Sequence, residues 1–212
     1  MIELVVLTPD DLGSWRELRL AALAEAPYAF GSTLSDWQGD GDREERWRGR
    51  LSISGSHNLL ALWDGEPAGT VSGVPGPRDG VVELISLWVA EKARGRGVGD
   101  RLVEAVVGWA ARGRAEVVEL AVTPGNAPAV ALYRRHGFAD TGQLGDVLPD
   151  GGREHVMARC LSPGPGCGTV PPLRRQPRGS PWLPAGGAAQ SSLQASEAGC
   201  SLARNIVWAI IL

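Results

Sequence analysis

The segment Arg94-Gly95-Arg96-Gly97-Val98-Gly99 carries the plainest chemistry in the chain. Glycine lets backbone N–H groups converge closely on an anion, because a Cβ would hold the chain away and oppose the tight turn. At the start of a helix such a loop meets the positive end of the helix dipole, and Arg94 and Arg96 add charge, so a pyrophosphate is a suitable ligand. Two familiar phosphate loops can be tested against it. A P-loop closes on Gly-Lys-Ser/Thr, and Val98-Gly99-Asp100 supplies neither the lysine nor the hydroxyl. A dinucleotide fingerprint aligned on Gly95 and Gly97 asks for a third glycine where Asp100 stands, although Glu119 would imitate its distal ribose acid.

The elements around this loop follow from periodicity. Val81 to Val89 is apolar on both faces except at Glu83 and Ser86, as for a central strand covered on both sides. After the loop, Val98, Leu102, Val103, Ala105, Val106 and Trp109 recur at helical spacing, and Val117 to Val122 forms the next strand, giving a β-loop-α-β unit. Asn126 to His136 predicts another helix with Gly137 at its C-terminal cap, followed by strands at Phe138 to Leu144 and Glu154 to Cys160. Upstream, Ile2 to Leu7 reads as a strand. Thr8 then caps a helix with Pro9 at its first position, and the helix runs to Pro27. A second helix is expected from Asp36 to Arg50, and a hairpin of Asn58 to Trp63 and Ala68 to Val74 around Asp64-Gly65.

At 212 residues and 22.4 kDa the chain suits one domain with an appendage. The formal charge of −3, with basic residues dispersed among acids, argues against nucleic acid as a partner. The three cysteines, Cys160, Cys167 and Cys200, lie at or beyond the end of the domain and cannot staple its core. Met1 to Leu7 carries an acid where an export signal needs positive charge, and Ile206 to Leu212 is too short to span a bilayer, so a cytoplasmic protein with no membrane partner is expected. After Leu161 proline, glycine, serine and glutamine dominate and no period survives. The expected organisation is a domain over 1–161 and a disordered tail over 162–212. His57, His136 and His155 show no metal-ligand spacing with the cysteines, so no metal is expected.

With these pieces in order, the chain resembles the GNAT superfamily of N-acyltransferases. That family's pyrophosphate motif is Arg or Gln, two residues, Gly, one residue, then Gly or Ala; Arg94, Gly97 and Gly99 fill it. Leu87-Trp88-Val89 is similar to the end of the family's fourth strand, and Asn126, Ala129, Leu132-Tyr133 and Gly137-Phe138 match its downstream signature. The resemblance implies a mixed α/β sheet flanked by helices, acetyl-CoA as co-substrate, and a small-molecule or peptide amine as acceptor, in a monomer or homodimer. It also implies pantetheine contacts from the backbone of Leu87 and Val89 and from Asn126, pyrophosphate contacts from residues 94 to 99, and Tyr133 beside the thioester sulfur. Tyr133 has the chemistry of a general acid, because a phenol of pKa about 10 can protonate a departing thiolate of pKa about 8.5. Glu83, an acid in an apolar strand, is the candidate base that frees the amine, with Glu119 in reserve. A module that binds acyl-CoA without turnover is the alternative reading.

Overall fold

The computed structural model describes residues 1–25, 34–148 and 151–161. Seven strands, β1 (Ile2–Leu7), β2 (His57–Trp63), β3 (Glu66–Pro75), β4 (Val81–Val89), β5 (Val117–Val122), β6 (Ala139–Val147) and β7 (Arg153–Cys160), form one sheet in the order β1-β2-β3-β4-β5-β7-β6. Every neighbouring pair is antiparallel except β4 with β5. A parallel pair needs a crossover, and helix α3 (Val98–Arg112) supplies it.

Helices cover both faces of the sheet. α3 and α4 (Ala127–Arg135) pack on one, where Leu102, Val106 and Leu132 meet Leu84, Leu87 and Val118. α1 (Leu12–Glu25) and α2 (Glu44–Leu51) pack on the other, where Trp15, Leu23 and Trp47 meet Leu60 and Trp88. Local chemistry sets the junctions. At the β2–β3 hairpin Asp64 and Gly65 both take positive φ, 51° and 85°, as a tight primed turn requires. Ahead of α1 a 3-10 turn, Pro9–Asp11, begins where the Asp11 carboxylate accepts from the Thr8 backbone N–H at 2.8 Å.

The helix expected over Asp36 to Arg50 is replaced by two 3-10 turns, Ser35–Trp37 and Gly39–Gly41, before the shorter α2. Gly39 stands at φ +55°, and a Cβ on Gly41 would lie 2.1 Å from the Asp36 carbonyl oxygen, so the chain turns where a helix would have continued. The other elements stand within a few residues of their expected limits. Pro27, the expected end of the first helix, and the 162–212 segment lie outside the described residues.

One irregularity matters for function. Ser72 pairs with Ile85 but Thr70 pairs with Trp88, so three steps on β4 oppose two on β3. The extra residue is a β-bulge, and Ser86 takes φ +54° within it. Before the bulge Val82 and Leu84 face α3; after it Leu87 and Val89 do, while Trp88 turns to the α1–α2 face. β4 also leaves β5 early, since their pairing covers only Val81 to Glu83 against Val117 to Glu119. Beyond that point the two parallel strands splay.

Candidate active site

The glycine loop lies between the end of β4 and the start of α3. Gly95 and Gly97 take φ of +68° and +82°, and Gly97 is the N-cap residue of α3 with no side chain closing the helix end. The N–H groups of the first helical turn have no intrahelical acceptors and so point outward. A Cβ on Gly95 would meet nothing within 4 Å, and one on Gly97 only Ile2 Cδ1 at 4.0 Å, so the space over the loop is open. A cleft of about 460 Å³ continues from it to α4, lined among others by Val89, Ala93, Val98, Gly99, Leu132 and Arg135.

The charged side chains of the loop are engaged elsewhere. Arg94 donates through Nε to the Val89 carbonyl at 3.1 Å and forms an ion pair with Glu25, which also accepts from Trp88 Nε1 at 3.2 Å. Arg96 stacks over Trp63, 5.5 Å from the ring centroid. Asp100, which also lines the cleft, meets His136 Nε2 at 2.9 Å and accepts from Arg135 at 3.0 Å. Burial alone would raise its pKa, but these two contacts outweigh burial and hold it below the usual carboxylate range. Arg94 and Arg135 still line the cleft, so its positive character comes from the loop's backbone N–H groups together with these engaged guanidinium groups.

α4 carries two of the predicted residues. Asn126 is its N-cap, accepting from the Ala129 N–H at 3.2 Å. Tyr133 is fully buried on the sheet side of α4, its ring edge-on to Phe138 at 5.6 Å. Its hydroxyl is also buried and has no hydrogen-bond partner among the described residues, and burial lifts its pKa well above the ordinary 10.

Glu83 is half-buried on β4 and stands beside Glu119 in the parallel register, on the face away from α3 and α4. Glu119 is buried and accepts from Arg78 at 3.0 Å. Glu83 lies three residues before Ser86, about 10 Å along an extended strand, so base and bulge are one water bridge or more apart.

The same face holds a cluster that sequence reasoning did not single out. Arg50, buried at the end of α2, donates to Asn58 Oδ1 at 3.3 Å, Ser72 Oγ at 3.1 Å and Ser86 Oγ at 3.3 Å. Arg19 is buried as well, and burial with the nearby Arg50 charge pulls its pKa down to about 9. The one available signal was Ser86, a hydroxyl inside an apolar strand. Among the described residues no three His, Cys, Asp or Glu side chains gather to hold a metal ion, and no helix is long and apolar enough to cross a membrane.

Comparison with known proteins bears on family and fold. The model of the acetyltransferase (GNAT) family matches residues 18–138. The L-methionine sulfoximine/L-methionine sulfone acetyltransferase of Pseudomonas paraeruginosa is 35% identical over 68 residues, 32% of this chain. The aligned stretch is 40% of that enzyme's length, so the chain matches less than half of this relative. A GCN5-related N-acetyltransferase from Kribbella flavida superposes with a TM-score of 0.61 at 26% identity, covering 76% of this chain and 98% of that one. The fold is also that of yncA from Salmonella typhimurium, solved with its cofactor acetyl-CoA: TM-score 0.62 at 21% identity, covering 77% and 96% of the two chains.

Proposed function

The chain belongs to the acetyltransferase (GNAT) family, and on that premise we propose that it transfers an acetyl group from acetyl-CoA to a primary amine by direct attack in a ternary complex. The observation that carries this reading is the open Gly95–Gly97 loop at the start of α3, whose cleft reaches Val89 at the end of β4, the strand that parts from β5 beyond Glu83. The backbone N–H groups of residues 95 to 99 take the pyrophosphate at the start of α3. The pantetheine arm follows β4 along Leu87 to Val89, with Trp88 turned to the opposite face and Asn126 holding α4 in place beside it. Arg94 and Arg96, engaged with Glu25 and Trp63, contribute general positive charge at the mouth.

The chemistry then uses groups from both faces. An alkyl ammonium of pKa near 10.4 must lose a proton, and Glu83 receives it through water. The amine lone pair attacks the thioester carbonyl carbon and a tetrahedral oxyanion forms against β4 backbone N–H groups at the splay. As the oxyanion collapses the C–S bond breaks, the sulfur leaves as a thiol with a proton from Tyr133, and the nitrogen keeps the acetyl group as an amide and gives up its second proton, which restores the Tyr133 hydroxyl. The buried Tyr133 hydroxyl, without a hydrogen-bond partner among the described residues, supports this role, because it is a donor that an incoming acceptor would satisfy.

Titration of the full chain with acetyl-CoA tests the reading. At 100 times its Kd a ligand adds about 2.7 kcal/mol of stability, and NAD should add none. Gly97→Ala should weaken the acetyl-CoA effect by tenfold or more in Kd, since the added Cβ occupies open space over the loop, and at φ +82° it should separately lower the stability of the free protein by about 1–2 kcal/mol. No stabilisation by acetyl-CoA would remove the proposal.

A further inference from the structure

Arg50 carries a charge for which acetyl transfer as described has no use. It is 6% exposed, and its three hydrogen bonds go to the neutral oxygens of Asn58, Ser72 and Ser86. Among the described residues no carboxylate pairs with it, and the 26–33 segment contains no Asp or Glu. Burial lowers its pKa only to about 10, so it is a cation at neutral pH. Arg19, close enough for Arg50 to depress its pKa, places a second positive charge nearby. A buried cation that meets only neutral dipoles is costly, and a like charge beside it adds to the cost. An arriving anion would relieve both.

Position narrows the anion. The Arg50 guanidinium touches Ser86, the residue of the β4 bulge, at the place where β4 has parted from β5. That is the edge of the gap in which the amine must meet the acyl carbonyl. Trp15 lies 5.5 Å from the guanidinium and packs against Trp47, so the surroundings are apolar and a charge pair there is strong.

We infer that the acceptor is a free α-amino acid, whose carboxylate Arg50 holds while its amine faces the bulge of β4. The inference rests on the acetyl-transfer reading and names the substrate class of the same site. One carbon separates the amine from the carboxylate of an α-amino acid, so an anion held beside Ser86 keeps the amine at the bulge. A peptide N-terminus has no carboxylate at that distance. Arg50 already donates from Nη2 to Ser72 and Ser86 and from Nη1 to Asn58, so the carboxylate takes the place of one of these neutral acceptors and gives the guanidinium a charged partner.

The test uses the full chain with acetyl-CoA and follows release of the CoA thiol. The acceptors are the standard L-amino acids, each compared with its carboxamide and with a dipeptide that begins with it. For the preferred residue the acid should exceed the carboxamide in kcat/KM by about a hundredfold, the loss that follows when a buried charge is left without its partner. Arg50→Gln should abolish that ratio by raising KM for the acid, with KM for acetyl-CoA unchanged, and Arg50→Lys should restore part of it. Should Arg50→Gln not fold, the wild-type ratio and the lysine variant decide. Thermal stabilisation by acetyl-CoA, measured alongside, separates the two levels: its absence in the wild type removes acetyl transfer itself. With stabilisation present, equal use of carboxamides or dipeptides, no acid acetylated, or a ratio that survives Arg50→Gln overturns the amino-acid inference alone.

Discussion

The phenol of a buried tyrosine ordinarily finds a hydrogen-bond partner, and that of Tyr133 has none. A buried donor left in this state costs about 1–3 kcal/mol, so Tyr133→Phe should leave the unliganded protein as stable as before or more so. The same change should lower kcat by about a hundredfold with little effect on either KM, the usual scale for a lost general acid. Thermal melting with steady-state kinetics checks both halves: a drop in melting temperature with kcat intact would make Tyr133 a packing residue and nothing more. The pKa of Tyr133, raised by burial, keeps it protonated through the working range, so the rise of rate with pH should follow the amine and its base. At this scale the sequence showed Tyr133 through its motif but could not show that its hydroxyl is buried away from a partner. Arg50 was invisible, since an arginine in Arg46-Trp47-Arg48-Gly49-Arg50 reads as one more surface charge.

Between residues and the whole stand the contacts that fix α1 against α2. Asp42 accepts from Arg16 Nε at 2.7 Å and from Trp47 Nε1 at 2.8 Å, which ties α1 to the turn before α2. The hydrogen bonds from Arg16 and then Trp47 lower its pKa to about 2 from 3.8. A depressed carboxylate pKa means that the contribution is complete above the unfolded value and is lost as pH falls through the folded one. Tryptophan emission, dominated on this face by Trp15, Trp37 and Trp47, should therefore change between about pH 4 and pH 2, and Asp42→Asn should remove that step. An unchanged titration in the variant would mean that Asp42 does not hold this junction. The helix expected over Asp36 to Arg50 misread this same region. Apolar spacing alone suggested continuity, while Gly39, Gly41 and the Asp42 contacts end it.

Among the described residues the sheet separates two helical faces, and β4 and β5 part beyond Glu83 and Glu119. The open glycine loop and Tyr133 belong to the α3–α4 face, Glu83 and Arg50 to the α1–α2 face, and the β4–β5 splay joins the two sides. β7 lies between β5 and β6, and the Leu161 N–H still donates to Glu116 at 2.8 Å, so the sheet needs the chain to about this point. We expect a chain ended after Leu161 to keep its melting temperature within a few degrees and its response to acetyl-CoA, whereas one ended at Gly152, before β7, should not fold. Loss of the acetyl-CoA response in the longer form would assign a binding role to residues 162–212.

The sequence by itself determined the order of elements and the glycine loop, because both rest on local demands: the period of apolar residues, caps such as Thr8 and Asn126, and backbone conformations that favour glycine. It also marked Ser86 and Glu83 as exceptions within β4 without giving their direction. Only the tertiary structure decided that. One extra residue at the bulge exchanges the faces of everything after it, so which side chains reach the cleft depends on the register of β4 against β3. Arg50 comes from α2 and its partners from β2, β3 and β4, and the gap beside them from the early end of β4–β5 pairing. These are meetings of segments distant in the chain, fixed by packing.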